Sequence, residues 1–159
     1  MNNGHNFFLS EGPLTPADAA VAIIVVEDSR YLMQLRDQKS GIFYPGHWGL
    51  FGGAIELGET PEAALRRELF EELGYQPDTV SYFTRFSFDF GCCGSRQVER
   101  YYYEVRVALS NVNTMALAEG SAKRVFAGPE FLANARVTPY DAFAIWMHAT
   151  RAVHLQASR

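Results

Sequence analysis

The sequence predicts one α/β domain in which a mixed sheet lies between helices. Short β-branched or alternating segments, typical of strands, occur on both sides of a segment with helical periodicity and clear helix-capping residues. The chain has 159 residues and shows no internal repeat, low-complexity tract or linker. Because this length is typical of one domain, we expect residues 1–159 to form a single folding unit.

The first strands are predicted to form a hairpin. Residues 1–16 are polar and interrupted by glycine and proline, so we expect either a flexible arm or an edge segment before it. Segment 20–28 (AVAIIVVED) is short and β-branched, like a buried strand, and the strand at 29–37 follows after a tight turn. Residues 38–47 are predicted to be a loop. Two short strands, WGLF and AIE, follow it and are separated by a glycine pair.

A helix is predicted over residues 61–73. Thr60 is a favourable N-cap, and Pro61 suits the first helical position because that residue needs no hydrogen-bond donor there. Gly74 is a typical helix terminator, since glycine adopts the left-handed conformation without strain. The three residues together define both ends of the helix.

The C-terminal half is predicted to contain strands and one more long helix. Alternating hydrophobicity indicates the strands, and helical periodicity with capping residues indicates the helix. In chain order these elements are long strands at 79–90 and 97–109 joined by the loop GCCGS, a short strand at 122–127, a short helix in GPEFLANA and a helix at 138–155.

Composition and charge limit the possible partners. The net charge of −4 argues against a broad nucleic-acid-binding face, although it permits a nucleotide substrate if a metal ion supplies positive charge. The two cysteines, Cys92 and Cys93, are adjacent, which favours reduced thiols in a reducing cytosol. We find no signal peptide and no apolar run long enough to cross a membrane. We therefore expect a soluble cytoplasmic protein.

Three glutamates, Glu68, Glu71 and Glu72, lie late in the predicted helix within an arc of roughly 100°. Like charges three or four residues apart destabilise a helix by about a few tenths of a kcal/mol per pair. The helix dipole also disfavours anions in the last turn. An ordinary solvated acidic face is one explanation. The other is a functional site, because such sites commonly break local rules of stability.

A divalent cation would remove both penalties. Carboxylate oxygens are ligands that Mg²⁺ and Mn²⁺ prefer, and these ions keep coordination positions open for water and phosphate.

The pattern G-x5-E-x7-R-E-U-x-E-E-x-G-U, where U is a bulky apolar residue, is complete in this chain. Its residues are Gly53, Glu59, Arg67, Glu68, Leu69, Glu71, Glu72, Gly74 and Tyr75. This segment, Gly53 to Tyr75, is called the box below, and it resembles the signature box of the Nudix hydrolases.

The resemblance implies a Nudix-type α/β/α sandwich with a mixed central sheet and a metal-dependent hydrolase. The implied reaction is hydrolysis of a nucleoside diphosphate linked to another group. The box residues then take the family's roles. Glu68, Glu71 and Glu72 would hold Mg²⁺, with Mn²⁺ as a substitute, and Gly52 would add its main-chain carbonyl. Glu68 is also the box candidate for polarising the attacking water.

The remaining box roles are structural, again as the resemblance implies. Arg67 would pair with Glu59 and hold the helix against its preceding loop, and Gly53 would permit the turn that brings Gly52 near the metal. Glu119 resembles a loop glutamate that contacts the metal or serves as the base, or it is an ordinary loop acid. Outside the box signature positions, Glu56 is a possible outer ligand or a solvated residue.

Several residues are candidates for binding the rest of the substrate. Aromatic side chains stack on bases, and arginines bind phosphates, although core packing and surface exposure are the alternative explanations. We select Arg36, Tyr44 and Trp48 as substrate-binding residues. Weaker candidates are Phe43, His47, Arg85, Arg96, Arg100 and Tyr101 to Tyr103, and Glu99 and Glu104 are further candidates for the metal site.

The particular substrate is not readable from the sequence, beyond a resemblance to members that cleave nucleoside triphosphates or nucleotide sugars. An alternative function is a catalytically silent nucleotide-binding or regulatory module, which would be expected to lack a box carboxylate. A calcium-binding structural protein is a third option, but it would require an Asp- and Asn-rich loop. We expect a monomer or homodimer that binds a small nucleoside diphosphate derivative.

Overall fold

The computed structural model describes residues 8–27, 29–89, 91, 97–133 and 135–157. In this part of the chain the elements are, in order, β1 (Ala19–Val26), β2 (Arg30–Leu35), β3 (Trp48–Gly49), β4 (Phe51–Ala54), α1 (Pro61–Leu73), β5 (Ser81–Asp89), β6 (Gln97–Val107), α2 (Leu109–Thr114), β7 (Ala122–Ala127), a 3-10 helix (Pro129–Ala133) and α3 (Pro139–Ala157). The predicted elements are present with ends that differ by a few residues, except that the glycine pair expected to separate two strands lies inside β4.

The described strands form one mixed sheet, as predicted. Its main order is β3-β2-β1-β6-β5, with β4 paired to β1 and β7 paired to β2. The pairing of β1 with β6 is parallel, from Ala19 opposite Arg100 to Val26 opposite Val107. The pairs β1–β2 and β5–β6 are antiparallel, as their predicted hairpins require.

Helices cover both faces of this sheet. Alternate residues of β1, among them Ala22 and Ile24, pack with α1 and α2 on one face. The intervening residues, among them Ile23, pack with α3 through Ile145 on the other face. All eight residues of β1 are buried, which explains why its sequence is a continuous apolar run instead of an alternating one. The protein is an α/β/α sandwich.

Helix α1 has the predicted ends. The Thr60 hydroxyl accepts a hydrogen bond from the Ala63 backbone N–H at 3.2 Å, which satisfies one of the free donors of the first turn. Gly74 is left-handed (φ 62°), and its N–H donates to the Phe70 carbonyl at 2.8 Å. Three leucines, Leu65, Leu69 and Leu73, are buried against the sheet. The caps and the leucine face fix how α1 presents its glutamates.

Two features differ from the sequence analysis. Helix α2 was not predicted, because its sequence LSNVNT is short and polar and only Val112 is buried. Residues 8–11, expected to belong to a flexible arm or an edge segment, pack against the domain: Phe8 is buried, and its carbonyl accepts a hydrogen bond from the Tyr44 N–H at 2.9 Å.

Some residues named in the sequence analysis lie outside the described part of the chain: Cys92, Cys93, Arg96 and the first seven residues of the arm. None of the helices described is long and apolar enough to span a membrane.

Candidate metal and substrate site

A cavity of about 530 Å³ opens beside the last two turns of α1. Among the described residues, five glutamates line it, together with basic, aromatic and glycine residues from β4, β6, the start of α3 and the loops around β2. The glutamates are Glu56, Glu68, Glu71, Glu72 and Glu119. The fold therefore places Glu119 and Glu56 beside the three clustered glutamates of the box, although Glu119 is distant from them in sequence.

Glu72 is the most buried of these acids, with only 4% of its surface exposed. Its Oε1 accepts a hydrogen bond from Gln34 Nε2 at 2.9 Å, and its Oε2 accepts one from the Gly52 N–H at 2.8 Å. Burial raises the pKa of Glu72 to about 8, although these two hydrogen bonds act in the opposite direction. The negative charges of Glu68 and Glu119 raise the pKa further. Without a cation, the fold thus disfavours the ionised form of Glu72.

Glu68 is partly buried, and its side chain is 16% exposed. Burial raises its pKa, the Arg67 hydrogen bond lowers it, and the charges of Glu71 and Glu119 raise it. Glu71 is much more exposed, with 56% of its side chain accessible. The acidic arc predicted from the helical wheel is therefore uneven, because the sheet covers the side of α1 that carries Glu72.

The unusual backbone conformation expected of Gly53, the first residue of the box, belongs instead to its neighbour Gly52. Gly52, not Gly53, has a positive φ (129°), and a Cβ there would lie 2.2 Å from the Ala20 carbonyl oxygen. A Cβ on Gly53 would lie 2.6 Å from the Glu68 carboxylate. Gly52 therefore allows β4 to approach β1 and to direct its N–H toward Glu72, whereas Gly53 leaves room for the Glu68 side chain.

Arg67 connects the box helix to the loop before it. Its Nε and Nη2 donate to the two oxygens of Glu59 at 2.8 and 2.9 Å, and Nη2 also donates to the Ala54 carbonyl at 3.0 Å. The hydrogen bonds that Glu59 accepts from Arg67 and from the Glu56 N–H lower the pKa of Glu59 to about 2. The predicted Arg67–Glu59 pair is present. Arg67 Nη1 additionally donates to Glu68 at 2.7 Å and to Glu71 at 3.2 Å.

Backbone hydrogen bonds place Glu119 opposite α1. The Ala118 N–H donates to the Glu72 carbonyl at 2.8 Å, and the Ser121 N–H donates to the Leu35 carbonyl at 2.8 Å. The loop is thus attached to the end of α1 on one side of Glu119 and to the end of β2 on the other. Glu119 acts electrostatically on both Glu68 and Glu72, so it belongs to the same acidic group.

The donor chemistry of this acidic group fits a divalent cation. Hard oxygen ligands surround a confined space, and two of the acids have raised pKa values that a nearby cation would lower. Within the described ranges, no three acidic, His or Cys side chains are already close enough together to hold a metal. Glu71 is bonded to Arg67, while Glu72 is bonded to Gln34 and Gly52.

Other predicted substrate residues are divided between the cavity and the core. Arg36 lines the cavity, and its Nε donates to the Phe43 carbonyl at 2.8 Å. Tyr44 is only 5% exposed and packs with Phe8, and Trp48 packs edge-on against Phe126 at 4.9 Å. Neither Tyr44 nor Trp48 lines the cavity. Tyr44 and Trp48 thus make packing contacts, since an aromatic side chain is as suited to a hydrophobic cluster as to a ligand.

The aromatic residues that do line the cavity are Phe43 and Tyr140. The Arg100 guanidinium lies 4.3 Å from the centre of the Tyr140 ring and pairs with the buried Asp141 at 3.2 Å. Tyr140 and Asp141 were not among the predicted site residues, since they lie at the start of α3, far from the box along the sequence. The residue types at the start of α3 do not indicate that this end of the helix faces the same cavity as β2.

The other candidates that the structure describes lie outside the cavity. Glu104 pairs with His148 at 2.6 Å and with Arg151 at 2.8 Å on the α3 side of the sheet. Glu99 pairs with Arg85 and hydrogen-bonds to Ser87. Tyr101, Tyr102 and Tyr103 pack with the hydrophobic core, and His47 lies in the loop before β3. Glu99 and Glu104 therefore do not line the cavity that contains the acidic group.

Comparison with known proteins agrees with the fold and with the box. The family model of the NUDIX domain matches residues 15–155. The nucleoside triphosphatase NudI of Escherichia coli O139:H28 (strain E24377A / ETEC) is 46% identical over 56 residues, which are 35% of this chain. The matched segment spans only 39% of the length of that relative.

Solved structures show the same fold at low sequence identity. The MutT protein of Methanosarcina mazei Go1 has a TM-score of 0.68 at 19% identity, and the alignment covers 89% of this chain and 96% of that chain. The NUDIX domain of Shewanella oneidensis NrtR, solved in complex with ADP ribose, has a TM-score of 0.67 at 15% identity, and the alignment covers 92% of both chains. Since the family model matches most of the sequence, the chain belongs to the Nudix family.

Proposed function

We propose that this protein is a Mg²⁺-dependent pyrophosphohydrolase that cleaves a nucleoside diphosphate linked to another group. The observation that carries the proposal is the acidic group around the buried Glu72, in the same cavity as Arg36 and Phe43. Similarity to a nucleoside triphosphatase and to an ADP ribose complex supports a nucleotide derivative as substrate. A nucleoside triphosphate and a nucleotide sugar both fit this description.

Glu68, Glu71 and Glu72 would hold the divalent ion, with the Gly52 carbonyl as a further ligand. When bound, such an ion neutralises phosphate charge and makes a water molecule more acidic. The protein would then accept the proton of the attacking water on a carboxylate. Glu119 and Glu68 are the candidates for this base, because both line the cavity and interact electrostatically.

Arg67 and Glu59 act by positioning. Their paired hydrogen bonds at 2.8 and 2.9 Å, with the bond from Arg67 to Ala54, hold the end of β4 against α1. This arrangement keeps Gly52 and Gly53 next to Glu72 and Glu68. Pre-arranged groups of this kind lower the activation free energy because they need not reorganise during the reaction.

The rest of the substrate would contact the basic and aromatic lining. Arg36 and Lys39 offer positive charge to phosphates, and Phe43 and Tyr140 offer ring faces or edges to a base. Arg100 is already paired with Asp141 and contributes a fixed cation beside Tyr140. Affinity for an anionic, aromatic substrate follows from this combination.

A hydrolysis screen in ¹⁸O-labelled water tests the proposal. Nucleoside triphosphates and nucleotide sugars are incubated with the protein and Mg²⁺, and products are analysed by mass spectrometry. We expect at least one substrate to give a nucleoside monophosphate, with ¹⁸O in a phosphate product. Glu71→Gln and Glu72→Gln should lower kcat by about a hundredfold or more, whereas Glu62→Gln, on the exposed start of the same helix, should not. Binding without turnover across the panel would instead identify the silent module.

A further inference from the structure

Gln34 is a buried polar residue outside the box. It lies in β2, whose sequence RYLMQL is otherwise mainly apolar at its centre, and it is 5% exposed. It also lines the cavity that contains the box glutamates. A buried amide is costly unless its polar atoms are hydrogen-bonded, so the partners of Gln34 indicate what the residue does.

The Gln34 amide nitrogen joins the strand β2 to the box. Nε2 donates to Glu72 Oε1 at 2.9 Å and to the Leu50 carbonyl at 3.3 Å. The Leu50 bond fixes the plane of the amide, which directs the other N–H at Glu72. Because the Gly52 N–H donates to Oε2 at 2.8 Å, the described residues supply one donor to each carboxylate oxygen. A carboxylate has about four acceptor positions, so both oxygens keep capacity for a further partner.

The Glu119 loop fixes Gln34 from the other side. A Cβ on Gly120 would lie 2.8 Å from Gln34 Oε1 and 3.0 Å from the Leu35 carbonyl oxygen. Only glycine therefore allows the loop to pass so close to the amide oxygen. Gln34 is held between Leu50, Glu72 and Gly120, and it cannot change rotamer without losing these contacts.

We propose that Gln34 is a positioning residue that holds the Glu72 carboxylate in the orientation that binds the divalent ion. This inference rests on the proposed function, because it takes Glu72 as a metal ligand. Residues that hydrogen-bond to a ligand orient it, and their loss typically costs about 10- to 100-fold in metal affinity or activity. A purely structural role for Gln34 predicts lower stability without a specific effect on metal binding.

Direct Mn²⁺ binding tests the role without any substrate. Free Mn²⁺ is measured by electron paramagnetic resonance in wild type, in Gln34→Met, which keeps the side-chain volume, and in Gln76→Met, the same change at an exposed position outside the cavity. We expect the Kd to rise by about tenfold or more in Gln34→Met and to stay unchanged in Gln76→Met. A wild-type Kd in folded Gln34→Met overturns the proposal. Wild type that does not bind Mn²⁺ overturns the proposed function instead.

The double variant Gln34→Met/Glu72→Gln tests whether Gln34 affects metal binding through Glu72 or independently of it. If Gln34 acts through Glu72, Gln34→Met should weaken binding little further once Glu72→Gln is present; fully additive losses overturn the proposal. If Gln34→Met does not fold, the side-chain amide resonances of Gln34 are followed during a Mg²⁺ titration. We expect them to shift in wild type and to stay in place in Glu72→Gln. Unshifted resonances in wild type saturated with Mg²⁺ overturn the proposal.

Discussion

Replacing Glu72 by Gln should stabilise the metal-free protein while reducing its response to metal. The folded protein raises the pKa of Glu72 from 4.5 to about 8, mainly through burial. Between these two values the folded state retains a proton that the unfolded state releases. The stability of the wild type therefore falls as pH rises from about 4.5 to about 8, and the loss is complete above the folded pKa.

The size of the effect follows from these pKa values. One pKa unit corresponds to about 1.36 kcal/mol. Because Glu72 is ionised in the unfolded state at pH 7 but stays mostly protonated in the folded state, the free energy of unfolding of the wild type is lower by about 3 kcal/mol at pH 7 than at pH 4. The side chain of Glu72→Gln does not ionise, so this loss of stability is absent in the variant. Its amide nitrogen would, however, face the amide nitrogen of Gln34, and the lost hydrogen bond would cost about 1 kcal/mol. The net gain of about 2 kcal/mol corresponds to a Tm increase of roughly 4–8 °C for a domain of this size.

Urea unfolding and thermal melts in EDTA at pH 5, 7 and 8.5 measure this effect. The difference between Glu72→Gln and wild type isolates Glu72 from the other titrating groups, and it should grow with pH. Glu62→Gln is the matched control, because Glu62 is exposed on the same helix and pairs with Arg66. With Mg²⁺ at a hundredfold excess over Kd, wild type should gain about 2.7 kcal/mol, and the variant should gain less. A variant less stable than wild type in EDTA at pH 7 would contradict this account of Glu72.

Three further predictions concern the box. Gly53→Ala should leave the Tm nearly unchanged but lower kcat strongly, because its Cβ would displace only the flexible end of Glu68; activity near wild type would contradict this. Gly52→Ala should lower the Tm by several degrees, since its Cβ would overlap the Ala20 backbone, and an unchanged melt would show that β4 moves freely. Arg67→Lys and Glu59→Gln should each lower kcat, because each breaks the same pair. In the double variant, the increase in activation free energy should be smaller than the sum of the increases in the two single variants. Full additivity would mean that the pair does not act as a unit.

Much of the fold could be predicted from local sequence. The helix at 61–73 has the predicted ends, because its cap, its first-turn proline and its terminal glycine act on backbone groups next to them. The long apolar run of β1 was identified as a buried strand for a similar local reason. Helix α2 was missed, because its six residues are mostly polar and carry no strong periodicity.

The candidate site was predictable only where its residues are close in sequence. The box contains Glu59, Arg67 and the three clustered glutamates within one short segment, so their association is visible in the spacing. Gln34 and Tyr140 join them only because β2 and α3 fold onto the same cavity. Tyr44 and Trp48 were selected for residue type and position near the box, but Tyr44 is buried, Trp48 packs against the edge of the core, and neither lines the cavity.

Local sequence was enough to establish the α/β class, the capped helix and the acidic box, since these depend on conformational preferences and on spacing along one helix. The folded arrangement was needed to show that Glu72 is buried while Glu71 is exposed, that Gly53 leaves room for Glu68 and that Gln34 holds Glu72. Burial, close approach and hydrogen bonding are properties of pairs of residues in space. A helical wheel gives the direction of a side chain but not what lies opposite to it.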